Sequence, residues 1–241
     1  MSADAGGARS ADIFVRAGGD VEHVEAALED RAMESPHTTD WHVVIPVKGG
    51  RDAKSRLRRQ VDDEDLVSAS LHDTLEVAAR VVTSGHVVVV TSDPREAAHA
   101  EAMGAVVVDD PGRGLDAACL AGVGAIRAGP DSGAPVAILL GDHPALTEAE
   151  LVAALDAGRE FGSFFVPDAD GEGTALLGTT RAGLPALAFG PGSAAQHAAL
   201  QHARLDLDLP GLRHDVDDEA TLRHAASHLT LGPRTRAALG R

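Results

Sequence analysis

The sequence predicts a single α/β domain: a mostly parallel, Rossmann-like central sheet with helices on both faces. Three observations carry this expectation. From Trp41 onward, short valine-rich runs alternate with segments of helical period, the pattern of right-handed βαβ units. The run "VAILLGD", Val136 to Asp142, is apolar at nearly every position, which suits a strand covered on both faces. A length of 241 residues is enough for one such domain with an ample core.

The elements follow in order. Residues 1–40 are polar, rich in Gly, Ala and acids, and weakly patterned, although "VEHVEAALEDRAM" has the spacing of a short amphipathic helix. They are expected to form a flexible N-terminal extension outside the main domain, which spans 41–230 and leaves 231–241 as a tail. "WHVVIPV" predicts a strand, "DLVSASLHDTLEVAARVV" a helix, "HVVVVTS" a strand and "PREAAHAEAM" a helix. "AVVVDD" continues the alternation, followed by the helix "LDAACLAGVGAIRA", the strand "PVAILLGD" and the helix "EAELVAALDAG". In front of that last helix, Thr147 and Glu150 have the spacing of a capping box. After Gly162 the rhythm changes. "SFFVPD" and "GTALLGTTR" predict two strands around a Gly/Asp turn, and "SAAQHAALQHA" a helix. The period-two stretch "RLDLDL" suits an exposed or edge strand, and "LRHDVDD" leads into a final helix. The tail "GPRTRAALGR" carries no pattern.

Composition narrows the function. Cys119 is the single cysteine, which excludes an intramolecular disulfide framework and a multi-cysteine zinc site. No run approaches 18 apolar residues, and "MSADAGGARSADIFVR" lacks the apolar core of a signal peptide, so the expected address is cytoplasmic. A net charge of −16 argues against nucleic acid or anionic membrane as partners. Aromatic residues at 2% with no tyrosine leave few platforms for stacking bases. One anomaly stands out: of 21 basic residues only two are lysines, and both, Lys48 and Lys54, fall in one short loop.

That loop, "PVKGGRDAKSRL", is the first chemical signal. It follows the first strand of the domain, and Gly49 and Gly50 let backbone approach a ligand while Lys48, Lys54 and Arg56 supply charge. Such a loop suits a polyphosphate; the plainer reading is a solvated basic surface. It matches neither a Walker A loop nor G-x-G-x-x-G. The second signal is a set of carboxylates. Asp142 ends a buried strand, at the sheet edge where α/β proteins bind ligands, or else merely accepts loop N–H bonds. Asp215 and Asp217 lie two residues apart, on one side of an extended segment. Together the three suit a hard cation such as Mg²⁺ held against a nucleotide triphosphate; alternatively "DVDDE" is an acidic cap and first helical turn. The third signal, Asp168 and Asp170 in "VPDADGEGTALL", is either a D-x-D metal motif or, preferred here, an Asp-Gly hairpin turn. In the fourth, "FGPGSAAQHAAL", Ser193 is expected to cap a helix with His197 one turn along the same face, at a helix start able to take an anion.

The succession "IPVKGGRDAKSRL", "VVVVTSD", "VVVDDPGRGLDAA", "LLGDHPAL", "VPDADGEGTALL", "FGPGSAAQHAA" and "RHDVDDEATL" resembles the guanylyltransferases of coenzyme F-420 biosynthesis. The resemblance covers about Trp41 to Ala226. It implies a nucleotidyltransferase-like fold and transfer of GMP from GTP to phosphoenolpyruvate or 2-phospho-L-lactate. By the same resemblance Asp142, Asp215 and Asp217 match Mg²⁺-holding aspartates, while Thr174, Gly190 and Ser193 match positions that bind the small acceptor. Lys48, Gly49, Lys54 and Arg56 match the triphosphate loop, and Ser92, Asp93, Gly114 and Asp116 the guanosine positions. Lys48, Lys54 and Asp142 are the implied catalytic groups. Two residues depart from the family pattern: Asp116 stands where Asn is usual, and His143 where Leu is usual. The Ala/Arg bias and long N-terminal segment look actinobacterial, which implies phosphoenolpyruvate as acceptor, and a handover of product to the next pathway enzyme is a further expectation. Such chemistry needs no His or Ser nucleophile, so the 12 histidines are expected to be mostly surface or core residues. A D-x-D sugar-nucleotide glycosyltransferase and a non-catalytic nucleotide-binding regulator are the rival readings.

Overall fold

Successive residues of each central strand are buried on opposite sides of one sheet. The computed structural model describes residues 14–15, 40–47 and 64–240. Its strands are β1 (Phe14–Val15), β2 (His42–Val47), β3 (Val87–Thr91), β4 (Val106–Asp109), β5 (Val136–Leu139), β6 (Ser163–Pro167), β7 (Thr174–Thr179) and β8 (Ala203–Asp206). They hydrogen-bond in the order β1-β8-β6-β7-β5-β2-β3-β4. β2 is parallel to β3 and β5, β3 to β4, and β6 to β8. Only β7, antiparallel to β5 and β6, and the two-residue β1 run the other way. This is the mostly parallel sheet that the apolar runs predict.

The helices are α1 (Glu64–Val82), α2 (Pro94–Ala102), α3 (Leu115–Ala128), α4 (Glu148–Gly158), α5 (Ser193–Ala199), α6 (Pro210–Arg213), α7 (Glu219–His228) and α8 (Pro233–Leu239). They cover both faces. Val43, Ile45, Val89, Leu139, Phe164 and Leu176 pack with Leu71 and Leu75 of α1 and Leu151 and Leu155 of α4. Their chain neighbours Val44, Val88, Val90, Ile138, Phe165 and Leu177 pack with Cys119, Val123 and Ile126 of α3 on the other face. Each fully buried side chain of this size stabilises the fold by roughly 1.5–3 kcal/mol, so strands with two apolar faces anchor the sheet. Among the described residues no helix is long and apolar enough to cross a membrane.

Several boundaries follow from local chemistry. α3 and α4 span the sequence-predicted residues, and α4 opens on the expected capping box, with Thr147 and Glu150 each bonded to the other's backbone. The helix expected over 193–203 is shorter: α5 stops at Ala199 because Gln201 takes a left-handed φ of 67°, and Ala203 already belongs to β8. Of the 1–40 segment, only the β1 pair and Asp40 are described; the helix-period stretch within it lies outside the described residues. Asp40 forms an ion pair with Arg159 after α4.

The unpatterned tail is corrected most clearly. Pro233–Leu239 is a helix; Ala238 packs on the cluster of Leu66, Leu222 and Leu231, and a buried carboxylate ties down its first turn. Asp73 of α1, buried, accepts from the Arg234 N–H (3.1 Å), the Thr235 N–H (2.8 Å) and the Thr235 hydroxyl (2.7 Å). Arg234 also pairs with Glu76. A hydrophobic period was the wrong signal for a helix docked through a carboxylate.

Helix α3 lies close on the sheet at one glycine and away from neighbours at another. A Cβ on Gly122 would sit 2.5 Å from Cγ1 of Val44 and 2.8 Å from Cγ2 of Val90, whereas one on Gly124 would meet nothing within 4 Å. The same substitution two residues apart is therefore expected to act with opposite sign. Gly122→Ala should destabilise by about 1–3 kcal/mol through overpacking. Gly124→Ala should stabilise by up to about 1 kcal/mol through helix propensity. Urea denaturation of the two variants beside the parent checks both; a stabilised Gly122→Ala would contradict the packing described.

Candidate active site

Because β2 to β6 and β8, but not β7, run in one direction, their carboxyl ends share one edge. β7 runs against them, so its first residue, Thr174, arrives at that same edge. Ligands of open α/β sheets bind there. Asp142 stands three residues past the end of β5. The chain reaches it through Gly141, which leaves room for Leu71 of α1 and Ile45 of β2.

Asp215 and Asp217 come from the loop between α6 and α7 rather than from a strand end, and the N–H of Val216 between them donates to the Asp142 carbonyl at 2.9 Å. Alternation does the rest: Val216 turns into an apolar cluster with Leu66, Ala145, Leu222, Ala225 and Leu231, and the flanking carboxylates turn the other way. One oxygen from each of Asp142, Asp215 and Asp217 lies within 4.8 Å of the others. Like charges at such spacing repel by about 4 kcal/mol per pair at an effective dielectric near 20, a cost that a cation removes. The donors are all carboxylate oxygens, the set that hard cations prefer. The acidic-cap reading is also partly right, since Asp218 caps α7 and shares a capping box with Thr221.

The loop is fixed from below by a carboxylate with two duties. Glu150 accepts from Thr147 N–H at 2.9 Å and from Gly211 N–H at 2.6 Å, which ties α6 to the start of α4. Only glycine fits at 211, because a Cβ there would lie 2.2 Å from the Ala145 carbonyl oxygen. His143, the neighbour of Asp142, is buried with Nε2 3.4 Å from Asp142 Oδ1.

Asp168 is a turn residue. Its carboxylate accepts from Glu172 N–H at 3.0 Å and Gly173 N–H at 2.7 Å, closing the β6–β7 hairpin. Arg213, two residues before Asp215, donates to the carbonyls of Pro167, Asp168 and Leu207, and its own carbonyl accepts from Ala169 N–H at 2.8 Å. One hairpin turn thus fastens the carboxylate loop at one end and presents Thr174 at the other.

Thr174 and Ser193, both buried, meet with their hydroxyl oxygens 3.1 Å apart. Gly190 and Gly192 precede Ser193 with φ of 136° and 70°, left-handed values that favour glycine. The expected cap is corrected: Gly192 occupies the N-cap of α5 and no side chain caps the helix, since the Ser193 hydroxyl is turned to Thr174. His197, one turn on, completes this corner with Nδ1 2.9 Å from Thr174 Oγ1 and Nε2 3.0 Å from Ala188 N. Its burial is legible only from the fold; the sequence offers just its i+4 spacing from Ser193.

Of the remaining expected residues, Ser92, Asp93, Gly114 and Asp116 lie along the same edge. Lys48, Gly49, Lys54 and Arg56 lie outside the described residues; their loop follows β2, where the strand order reverses. Ser92 and Asp93 follow β3, and Asp93 caps α2 by accepting from Arg95 N–H at 2.9 Å. Gly114, at φ 92°, is the N-cap of α3. Asp116 in the first turn of α3 accepts from Phe189 N–H at 3.0 Å, so at least one of its oxygens holds the loop that leads to Gly190.

The chain is similar to known proteins in sequence and fold. The model of the MobA-like NTP transferase domain matches residues 60–209. A phosphoenolpyruvate guanylyltransferase of Streptomyces coelicolor is 42% identical over 207 residues, 83% of this chain and 96% of the relative. One of Thermomonospora curvata is 42% identical over 218 residues, covering 87% and 94%. A solved structure assigned as a nucleotide-diphospho-sugar transferase of Desulfovibrio desulfuricans G20 shares the fold, with TM-score 0.50 at 16% identity over 83% of this chain and 99% of its own. With its parallel sheet, its carboxylate cluster at the ligand edge and these relatives, the chain belongs to the phosphoenolpyruvate guanylyltransferase family of MobA-like nucleotidyltransferases.

Proposed function

We propose that the chain transfers GMP from GTP to phosphoenolpyruvate, giving enolpyruvyl-diphospho-guanosine and pyrophosphate as a step of coenzyme F-420 biosynthesis. The observation that carries this reading is the all-oxygen cluster of Asp142, Asp215 and Asp217 on the sheet edge that also receives Thr174. The names of the relatives support the acceptor and the nucleotide. A phosphate oxygen of the acceptor forms a bond to the α-phosphorus of GTP. The bond from that phosphorus to the bridging oxygen breaks, and pyrophosphate leaves with the electron pair. Alignment and charge neutralisation supply most of the rate in such a transfer.

Asp142, Asp215 and Asp217 would hold Mg²⁺, which when bound neutralises charge on the phosphates of both reactants. The hydroxyls of Thr174 and Ser193, with backbone at Gly190, bind the acceptor's anionic groups. Lys48, Gly49, Lys54 and Arg56 cradle the triphosphate, and the two lysines stabilise the departing pyrophosphate. Ser92, Asp93, Gly114 and Asp116 surround the guanosine. The product passes to the next enzyme of the pathway. A D-x-D glycosyltransferase is disfavoured by the commitment of the Asp168 carboxylate to its turn, and a non-catalytic regulator by the intact carboxylate cluster.

The direct test is pyrophosphate release with GTP and Mg²⁺ against phosphoenolpyruvate, 2-phospho-L-lactate and 3-phosphoglycerate in parallel. Phosphoenolpyruvate should lead 2-phospho-L-lactate in kcat/KM by about 10- to 200-fold, the range that fit around one methyl or methylene allows. A lead for 2-phospho-L-lactate would reassign the acceptor, and no release with any of the three would refute guanylyl transfer.

Asp142→Asn and Asp215→Asn should fold normally yet lose about a hundredfold or more in kcat, the scale of removing one charge-stabilising group. Asp168→Asn should keep most activity because that side chain serves a turn. Kinetics paired with thermal melts separate these cases, and full activity of Asp142→Asn at saturating Mg²⁺ would defeat the metal role.

Lys48→Ala and Lys54→Ala should weaken GTP use and leave the KM for the acceptor unchanged. Unaltered GTP kinetics in both would make the basic loop a solvated surface.

A further inference from the structure

A count of protons at the Thr174 corner points to a role for a residue outside the chemistry so far described. His197 is buried, with no exposed surface, and both ring nitrogens have partners. Nε2 lies 3.0 Å from Ala188 N. A backbone N–H only donates, so Nε2 accepts and carries no proton. The proton of the neutral ring is therefore on Nδ1, which donates to Thr174 Oγ1 at 2.9 Å.

Burial, reinforced by neighbouring His202 and opposed by Asp116, holds the His197 pKa down at about 4, so the ring is neutral near pH 7. Phe165 and Phe189 pack against the ring, and His202 meets it edge-on at 5.6 Å between centroids. His202 donates from Nε2 to the Ala186 carbonyl at 2.8 Å and takes the Ser163 hydroxyl at Nδ1, so it offers His197 no proton.

Two hydroxyl protons remain, one on Thr174 and one on Ser193. One is used in the bond between the two oxygens. The other has no place on His197, whose Nδ1 already donates. Among the described residues neither hydroxyl bonds to any further acceptor. The corner is thus left with one O–H to give to a ligand. With the proton on Nε2 instead, Nδ1 would absorb the spare hydroxyl proton and the corner would offer none.

We infer that His197 is the positioning residue of the acceptor site: its Nδ1–H sets the direction of the Thr174–Ser193 hydroxyl pair so that one O–H faces an anionic oxygen of the acceptor. This rests on the reading of Thr174 and Ser193 as acceptor ligands given above.

The test uses the full chain and steady-state pyrophosphate release, with GTP and phosphoenolpyruvate varied separately. His197→Asn keeps an N–H donor at the same bond distance from Cα as Nδ1. His197→Gln keeps an acceptor at the distance of Nε2 but loses the donor to Thr174. Thr174→Val removes the hydroxyl and preserves shape. The expected result is a KM for phosphoenolpyruvate raised about ten- to a hundredfold in Thr174→Val and His197→Gln, the scale of one hydrogen bond to a charged group. His197→Asn should stay within about threefold of the parent, and the KM for GTP should hold throughout. Nitrogen-15 NMR of the parent imidazole should find Nε2 unprotonated and Nδ1 protonated at neutral pH.

If Thr174→Val leaves the acceptor KM unchanged, the acceptor reading itself fails. If Thr174→Val raises it but His197→Gln does not, or if Asn and Gln behave alike, the role of His197 alone is overturned. A protonated Nε2 in the parent overturns that role without reference to any variant.

Discussion

The hydrogen bond from Val216 N–H to the Asp142 carbonyl, 2.9 Å long, is the contact on which the arrangement of the site depends. It joins the turn after β5 to a loop 74 positions later, and it does so between two aspartates. A bond to the backbone of Val216 leaves both neighbouring side chains pointing the same way, beside Asp142. The apolar side of Val216 then faces Leu66, Leu222 and Leu231, so the hydrophobic effect keeps the loop seated while the acids crowd together. Burial of the valine and the backbone bond hold the segment against part of the electrostatic repulsion, and a bound cation would remove the rest.

The same logic of side chains holding backbone recurs across the edge. Three groups secure the approach to Gly190 at nearly consecutive positions. His202 donates to the Ala186 carbonyl, His197 accepts from the Ala188 N–H, and Asp116 accepts from the Phe189 N–H. They come from β8's leading turn, from α5 and from α3, so the loop is oriented by elements on both sides of it. Asp116 in particular links the start of α3 to the loop that leads to the Thr174–Ser193 corner.

Much of the fold was legible because the strands bury two faces. A run such as "VAIL" cannot be amphipathic when α4 and α3 lie on opposite sides of it, and its uninterrupted apolar character says so directly. Capping chemistry located the start of α4 to the residue. The candidate site was legible in part: Asp142 at a strand end, and Asp215 with Asp217 at a spacing of two. Their meeting was read from the carboxylate pattern and implied by the resemblance, whereas the long-range backbone bond that produces it left no local signal. The roles of Asp73 and His197, and the second duty of Glu150 toward Gly211, were hidden for a related reason. A polar side chain of this kind is explained by its partners, and those partners lie 162, 23 and 61 positions away. The turn role of Asp168 could be read because its partners are four and five residues on.

The docking of α8 on α1 bears on how the chain acquires its structure as it is made. α1 can pack on β2 and β3 once those segments have been synthesised, and domains generally fold from the N-terminal side during synthesis. Asp73, however, then waits with its carboxylate facing the place where three donors will arrive, until position 235 has left the ribosome. Water must occupy that place in the interim, because an unpaired carboxylate in a dry interior costs several kcal/mol. The surface of α1 around Asp73 is therefore open to solvent until residue 235 has emerged, and closure of this seam is a long-range event.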